Sequence, residues 1–151
     1  MAVTSKWYGK AILNAFGGES AGDTFAVDFL SDTIKVALTT SSYTPAQDTH
    51  EVFSDVTNEI TGTGYTAGGV TLANKTLAYD TGTNVIKFDA DDAQWTSASF
   101  TARNAVVYKS TGTGSTSPLL SYVDFGADQT VSSATFTIQW NAAGILTVTV
   151  S

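Results

Sequence analysis

Residues 134–150, ATFTIQWNAAGILTVTV, hold two alternating runs separated by a polar, glycine-containing break. In an extended chain Phe136, Ile138 and Trp140 point one way, with Thr137 and Gln139 pointing the other. Leu146, Val148 and Val150 repeat the pattern around Thr147 and Thr149. A period of two is the signature of a half-buried strand. Asn141 to Gly144 supplies turn chemistry between the two runs.

Working outward, the same grammar recurs. Leu119–Phe125 and Ala105–Lys109 read as strands. Residues 70–79 and 84–89, VTLANKTLAY and NVIKFD, read as a hairpin closed by Asp80-Thr81-Gly82-Thr83. Residues 33–72 begin as a strand, with Ile34, Val36 and Leu38 alternating against Lys35, Ala37 and Thr39. Phe25, Val27 and Phe29 alternate before a turn at Ser31–Asp32, so residues 24–39 are expected to form a second hairpin. About eight short strands with glycine-rich turns predict an all-β, antiparallel sandwich of jelly-roll type, with a closed barrel as the competing architecture. Residues 110–117, STGTGSTS, are expected at an exposed loop tip.

The N-terminal segment differs. Trp7, Ala11, Ile12, Ala15 and Phe16 approximate one apolar helical face over residues 5–16, with Ser5 as N-cap and Gly17–Gly18 as stop. A short helix over one end of a sheet, or an arm docking on a neighbouring subunit, would both use this face. The expected organisation is one domain, with residues 1–20 as arm or helix and 21–151 as the β-sandwich.

Composition limits the chemistry. The 151 residues are enough for one buried core without metal or disulfide support. With only 14% charged residues, the surface must be built from threonine, serine and glycine, as in turn-rich β proteins. No cysteine is present, which removes disulfides, thiolate metal sites and a cysteine nucleophile together. A net charge of −7 disfavours nucleic acid and anionic membranes as partners. The start reads neither as a signal peptide nor as a membrane span, so delivery to a final site by assembly is expected.

Each candidate for chemistry has a structural competitor. Gly62-Thr63-Gly64-Tyr65-Thr66-Ala67 has the outline of a dinucleotide fingerprint, but a strand rather than a helix follows it. A turn with Tyr65 packed down as a peg is expected instead. Asp89, Asp91 and Asp92 supply hard oxygen ligands that suit calcium, yet lack the glycine and glutamate of an EF-hand loop, so an exposed acidic turn is the expectation. His50, lying among Asp48, Glu51 and Asp55, has no G-x-S-x-G serine to complete a triad, and is expected to bond those acids. Carboxylate pairs for glycoside hydrolysis cannot be singled out among fourteen acids. Trp7, Trp95 and Trp140 could stack sugars if exposed, although Trp140 is in phase with a core face. Asn74-Lys75-Thr76 matches a glycosylation sequon without a secretion signal to give it meaning. No catalytic residue, cofactor or metal is assigned, and the chain is not expected to be an enzyme.

The order of short motifs carries further information. Ile34-Lys35-Val36-Ala37-Leu38, Tyr43-Thr44-Pro45, Asp48-Thr49-His50, Ser54-Asp55-Val56, Glu59-Ile60 and Gly62 to Gly69 follow one another along the opening half. Leu72 to Thr76, Phe88 to Asp92, Thr101-Ala102-Arg103, Tyr122 to Gly126 and Phe136 to Asn141 continue it. Over nearly its whole length the chain resembles a family of small virion structural proteins of tailed bacteriophages, of the head-decoration or minor-capsid kind. The resemblance implies a non-enzymatic particle component, made in the host cytoplasm, and a single compact β domain without a coiled-coil or collagen-like shaft tilts its placement toward the capsid exterior. Its partners would be the major capsid protein or other virion subunits, and it would form a homo-oligomer, with a trimer natural at three-fold positions. The alternative is a tail- or fibre-associated protein engaged in host-surface or glycan binding, although no repetitive shaft is present. Trp7, Tyr8 and Phe16 in the arm, with Tyr43 and Phe53 in the long loop, are the expected contact residues.

Overall fold

The computed structural model describes residues 2–9, 11 and 26–150. Among them every long element is a strand: β1 (Ala2–Val3), β2 (Lys6–Trp7), β3 (Ile34–Thr39), β4 (Val70–Thr71), β5 (Thr76–Asp80), β6 (Val85–Asp89), β7 (Ala93–Lys109), β8 (Leu119–Trp140) and β9 (Leu146–Thr149). The protein is all-β and mostly antiparallel. A larger sheet runs β1-β8-β7-β3-β4, with β2 also on β8, and a smaller one runs β5-β6-β9.

The β7–β8 hairpin organises the larger sheet. Ala2 pairs with Gln139 and Lys6 pairs with Tyr122, partners 17 positions apart on β8. Seventeen extended residues would cover about 56 Å. The four steps from Ala2 to Lys6 reach about 14 Å at most. The hairpin must therefore fold back on itself, and the register shows where. Ala102 faces Gln129 but Asn104 faces Asp124, so β8 carries extra residues there, and Gly126 in that bulge has φ +78°.

The bend wraps an apolar core. Ile34, Val36 and Leu38 of β3, Trp95 and Phe100 of β7, and Phe88 of β6 belong to one buried cluster fed by both sheets. The opposite face of β3-β7-β8 is covered too. Ala37, Val106, Tyr108 and Leu119 there pack with Tyr8 and Tyr43, and with half-buried Phe53. The polar loop at residues 40–59 thus lies over the sheet as an outer layer. Its backbone is stitched down by Phe53 N–H to Ser117 O (2.8 Å) and Leu119 N–H to Glu51 O (2.8 Å).

Several sequence expectations need correction. Residues 5–16 do not begin as a helix: Lys6 and Trp7 pair with Tyr122 and Ser121, because the β8 edge offers backbone partners to an aromatic-bearing segment. Gly9 and Ala11 are helical, and the remainder of that expected helix, Phe16 included, lies outside the described residues. The hairpin over 24–39 is not formed by Val27 and Phe29. The Asp28 carboxylate instead accepts from the Leu30 and Ser31 N–H groups, making a side-chain-directed turn, while Thr24 and Phe25 lie outside the described residues. Leu119–Phe125 and Ala134–Trp140 are two parts of one strand, β8, and Ala105–Lys109 is the end of β7. Asn141–Gly144 is a turn, but it carries β9 across to pair with β6 rather than back along β8.

Candidate functional site

Of the residues expected to reach another subunit, Trp7, Tyr8, Tyr43 and Phe53 make contacts within the chain, and Phe16 lies outside the described residues. Tyr8 is fully buried and Tyr43 is 3% exposed. Their hydroxyls lie 3.0 Å apart, and Tyr43 also reaches His50 Nδ1 at 2.9 Å. The Ala46 N–H points at the same Nδ1 and can only donate, so Nδ1 is an acceptor. Tyr43 therefore donates to His50 and accepts from Tyr8. Burial, then this donated bond, raises the Tyr8 phenol far above its ordinary range. Phe53 stacks on Tyr108 with centroids 4.1 Å apart. Trp7 is half-buried, and its indole N–H donates to Thr147 O (3.1 Å). As placed, Tyr8 and Tyr43 present no surface to a partner.

The candidate chemical groups are likewise spent on structure. His50 stacks on Tyr43 (5.5 Å) and bonds its hydroxyl, in place of the acids expected from sequence. Asp55 Oδ2 accepts from the Glu51 and Val52 N–H groups. The three acids of the 89–92 turn diverge. Asp89 pairs with Lys87 (3.0 Å), Asp91 accepts from Asn74 (2.7 Å) and Asp92 accepts from the Trp140 N–H (3.0 Å). Trp95 and Trp140 are 2% and 7% exposed, so neither offers an open ring to a sugar.

The glycine turn at 62–69 is the peg expected from sequence. The Tyr65 hydroxyl donates to Glu59 Oε1 (2.6 Å) and accepts from the Leu38 N–H (3.0 Å). The ring lies near Trp95 and Phe100. A Cβ at Gly69 would sit 1.8 Å from Val36 O, so only glycine lets this turn lie flat on β3.

One surface stands apart. Among the described residues, the large apolar side chains that remain exposed are Leu30, Leu77, Tyr79, Ile86, Val148 and Val150. All but Leu30 belong to the β5-β6-β9 sheet or its C-terminal continuation. Residues paired across an antiparallel ladder share a face. Leu77–Phe88–Leu146 forms one such row and Tyr79–Ile86–Val148 the next. Phe88 and Leu146 are buried, with Phe29 against the Phe88 ring at 4.4 Å. The second row continues the same face past the covering residues into solvent. Leu30 adjoins Phe29 in sequence, at the covered root of the patch.

Alternation alone does not tell a core face from a contact face, since both have the same period. Only the overhang of the hairpin past its cover separates them. No known protein family, curated protein or solved structure matches this chain.

Proposed function

We propose that the chain is a structural protein of a tailed-phage virion, most simply a head-decoration or cement protein bound to the capsid exterior. The observation that carries this reading is the apolar row Tyr79–Ile86–Val148, an exposed contact face on an ordered sheet. Its setting agrees with the motif order that resembles small phage virion proteins. In this reading the two sheets form a β-sandwich whose overhanging edge is the docking face. Binding across joints between coat subunits would resist outward pressure from packaged DNA, with apolar anchors at the centre of each contact. A cysteine-free fold held by packed aromatic rings suits a particle that meets both reducing and oxidising surroundings.

The test is rebinding. Purified protein added to expanded capsids that lack it should attach and raise their disruption temperature. Particles that are equally stable and infectious without it would overturn the proposal. Imaging of labelled virions separates head from tail, and a tail label would favour the alternative of a tail- or fibre-associated protein.

A further inference from the structure

β5 is the outermost strand of its sheet. β6 holds one side of it, and no described residue pairs with the other. All five of its residues, Thr76-Leu77-Ala78-Tyr79-Asp80, are exposed. Soluble proteins ordinarily blunt such an edge with a proline, a bulge or an inward-pointing charge. β5 has no proline, pairs with β6 without a register shift, and carries leucine and tyrosine on its apolar face. Lys75, just before the strand, is tied to the Asp32 carbonyl, and Lys87, opposite Ala78 on β6, is tied to Asp89 and the Ala142 carbonyl. The other edge of the sheet is treated differently, since the Trp7 indole is anchored on β9 at Thr147.

We propose that β5 pairs with β5 of a second copy of this chain, antiparallel about a two-fold axis, joining two three-stranded sheets into one of six. The register follows from the strand itself. Matching the apolar faces requires residues of the same parity to oppose each other, so the axis must pass through a residue. For a five-residue strand, only an axis at Ala78 pairs every position. Leu77 then opposes Tyr79 of the partner subunit, and Thr76 opposes Asp80 of the partner subunit. No like charges meet directly, and aromatic–aliphatic pairs form on the shared face. Each Tyr79–Ile86–Val148 row then runs on across the axis from Leu77 of the partner subunit, which widens the apolar platform.

A standard stable interface buries about 800 Å² per partner, more than one short strand supplies. The pairing is therefore concentration-dependent. It also tightens with added salt, which screens repulsion between copies that each carry a net charge of −7. The proposal deepens the contact-face reading but does not depend on the particle. If pairing fails, capsid rebinding still tests the virion role separately.

The absence of cysteine makes the experiment clean. Ala78→Cys places two thiols across the axis, with Cβ atoms about 4.5–5.5 Å apart. Thr83→Cys, in the turn beyond Asp80, would lie farther from its mate than the roughly 14 Å that separates the two Asp80 positions along the strand. Under mild oxidation, or with a short bis-maleimide, the Ala78→Cys protein should form a covalent dimer at least tenfold faster than the Thr83→Cys protein. Adding Leu77→Lys and Tyr79→Lys should abolish that dimer while circular dichroism still reports the native sheet. Equal rates for the two cysteines, or a dimer indifferent to the lysines, would overturn the proposal. So would trapping through Ile86→Cys but not Ala78→Cys, because the faces would then be stacking.

Discussion

Gly69 has φ +71° and lies against the β3 backbone, whereas Gly112 has φ +88° with nothing within 4 Å of its missing Cβ. The two therefore separate backbone strain from collision. Gly112→Ala should cost only the strain of a left-handed alanine, about 1–2 kcal/mol. Gly69→Ala adds a clash with the Val36 carbonyl that only displacement of the whole turn relieves, so a loss of at least about 3 kcal/mol is expected. Urea denaturation of the two variants checks the contrast. The tyrosines make a second residue-level prediction. Burial raises the phenols of Tyr8, Tyr43 and Tyr65, and burial followed by the nearby Glu59 charge pushes Tyr108 up to about 12. Unfolded tyrosine ionises near pH 10. Below that pH both states are neutral and the contribution is fully present. Above it the unfolded chain loses protons first, so stability falls as pH rises, through about pH 12 for Tyr108. Melting temperature should decline steadily above pH 10, with buried phenolate absorbance appearing only on unfolding.

At the scale of elements, the loop at 40–59 behaves as a layer because its pegs are held from beneath. Asn104, 2% exposed, donates to Thr39 Oγ1 (3.2 Å) and to the Tyr43 carbonyl (3.1 Å). Asn104→Ala should cost about 1–3 kcal/mol. Hydrogen exchange should quicken first in residues 41–56, ahead of β3 and β7; uniform quickening would mean the loop is not separately held. These elements also show what a sequence can and cannot convey. The β5–β6 hairpin and the Tyr65 turn are legible because their alternation and glycines are local. The first half of β7 is not. Ser97 there has φ +50°, and the register slips between Trp95 and Ala98, so the period of two is lost where the strand continues. The N-terminal segment misleads for a different reason. Trp7 fits a helical face, but its backbone finds a better partner in Ser121 of β8, far away in the chain, and no local pattern reports that. His50 is similar: its neighbours in sequence are acids, while its partner in space is a tyrosine.

For the whole molecule, a cysteine-free β protein has buried Tyr8 and Tyr43 and left the Tyr79–Ile86–Val148 face open. Charge at that face should therefore matter more to assembly than loss of Tyr43 or Phe53, which would act through stability. The most direct measurement uses expanded capsids lacking the protein, offered wild-type chain or an Ile86→Lys/Val148→Lys variant of unchanged fold. Binding of the wild type, with a higher capsid disruption temperature and no binding of the variant, is the predicted result. Wild-type protein that ignores the capsids, or a variant that binds them equally well, would contradict the account.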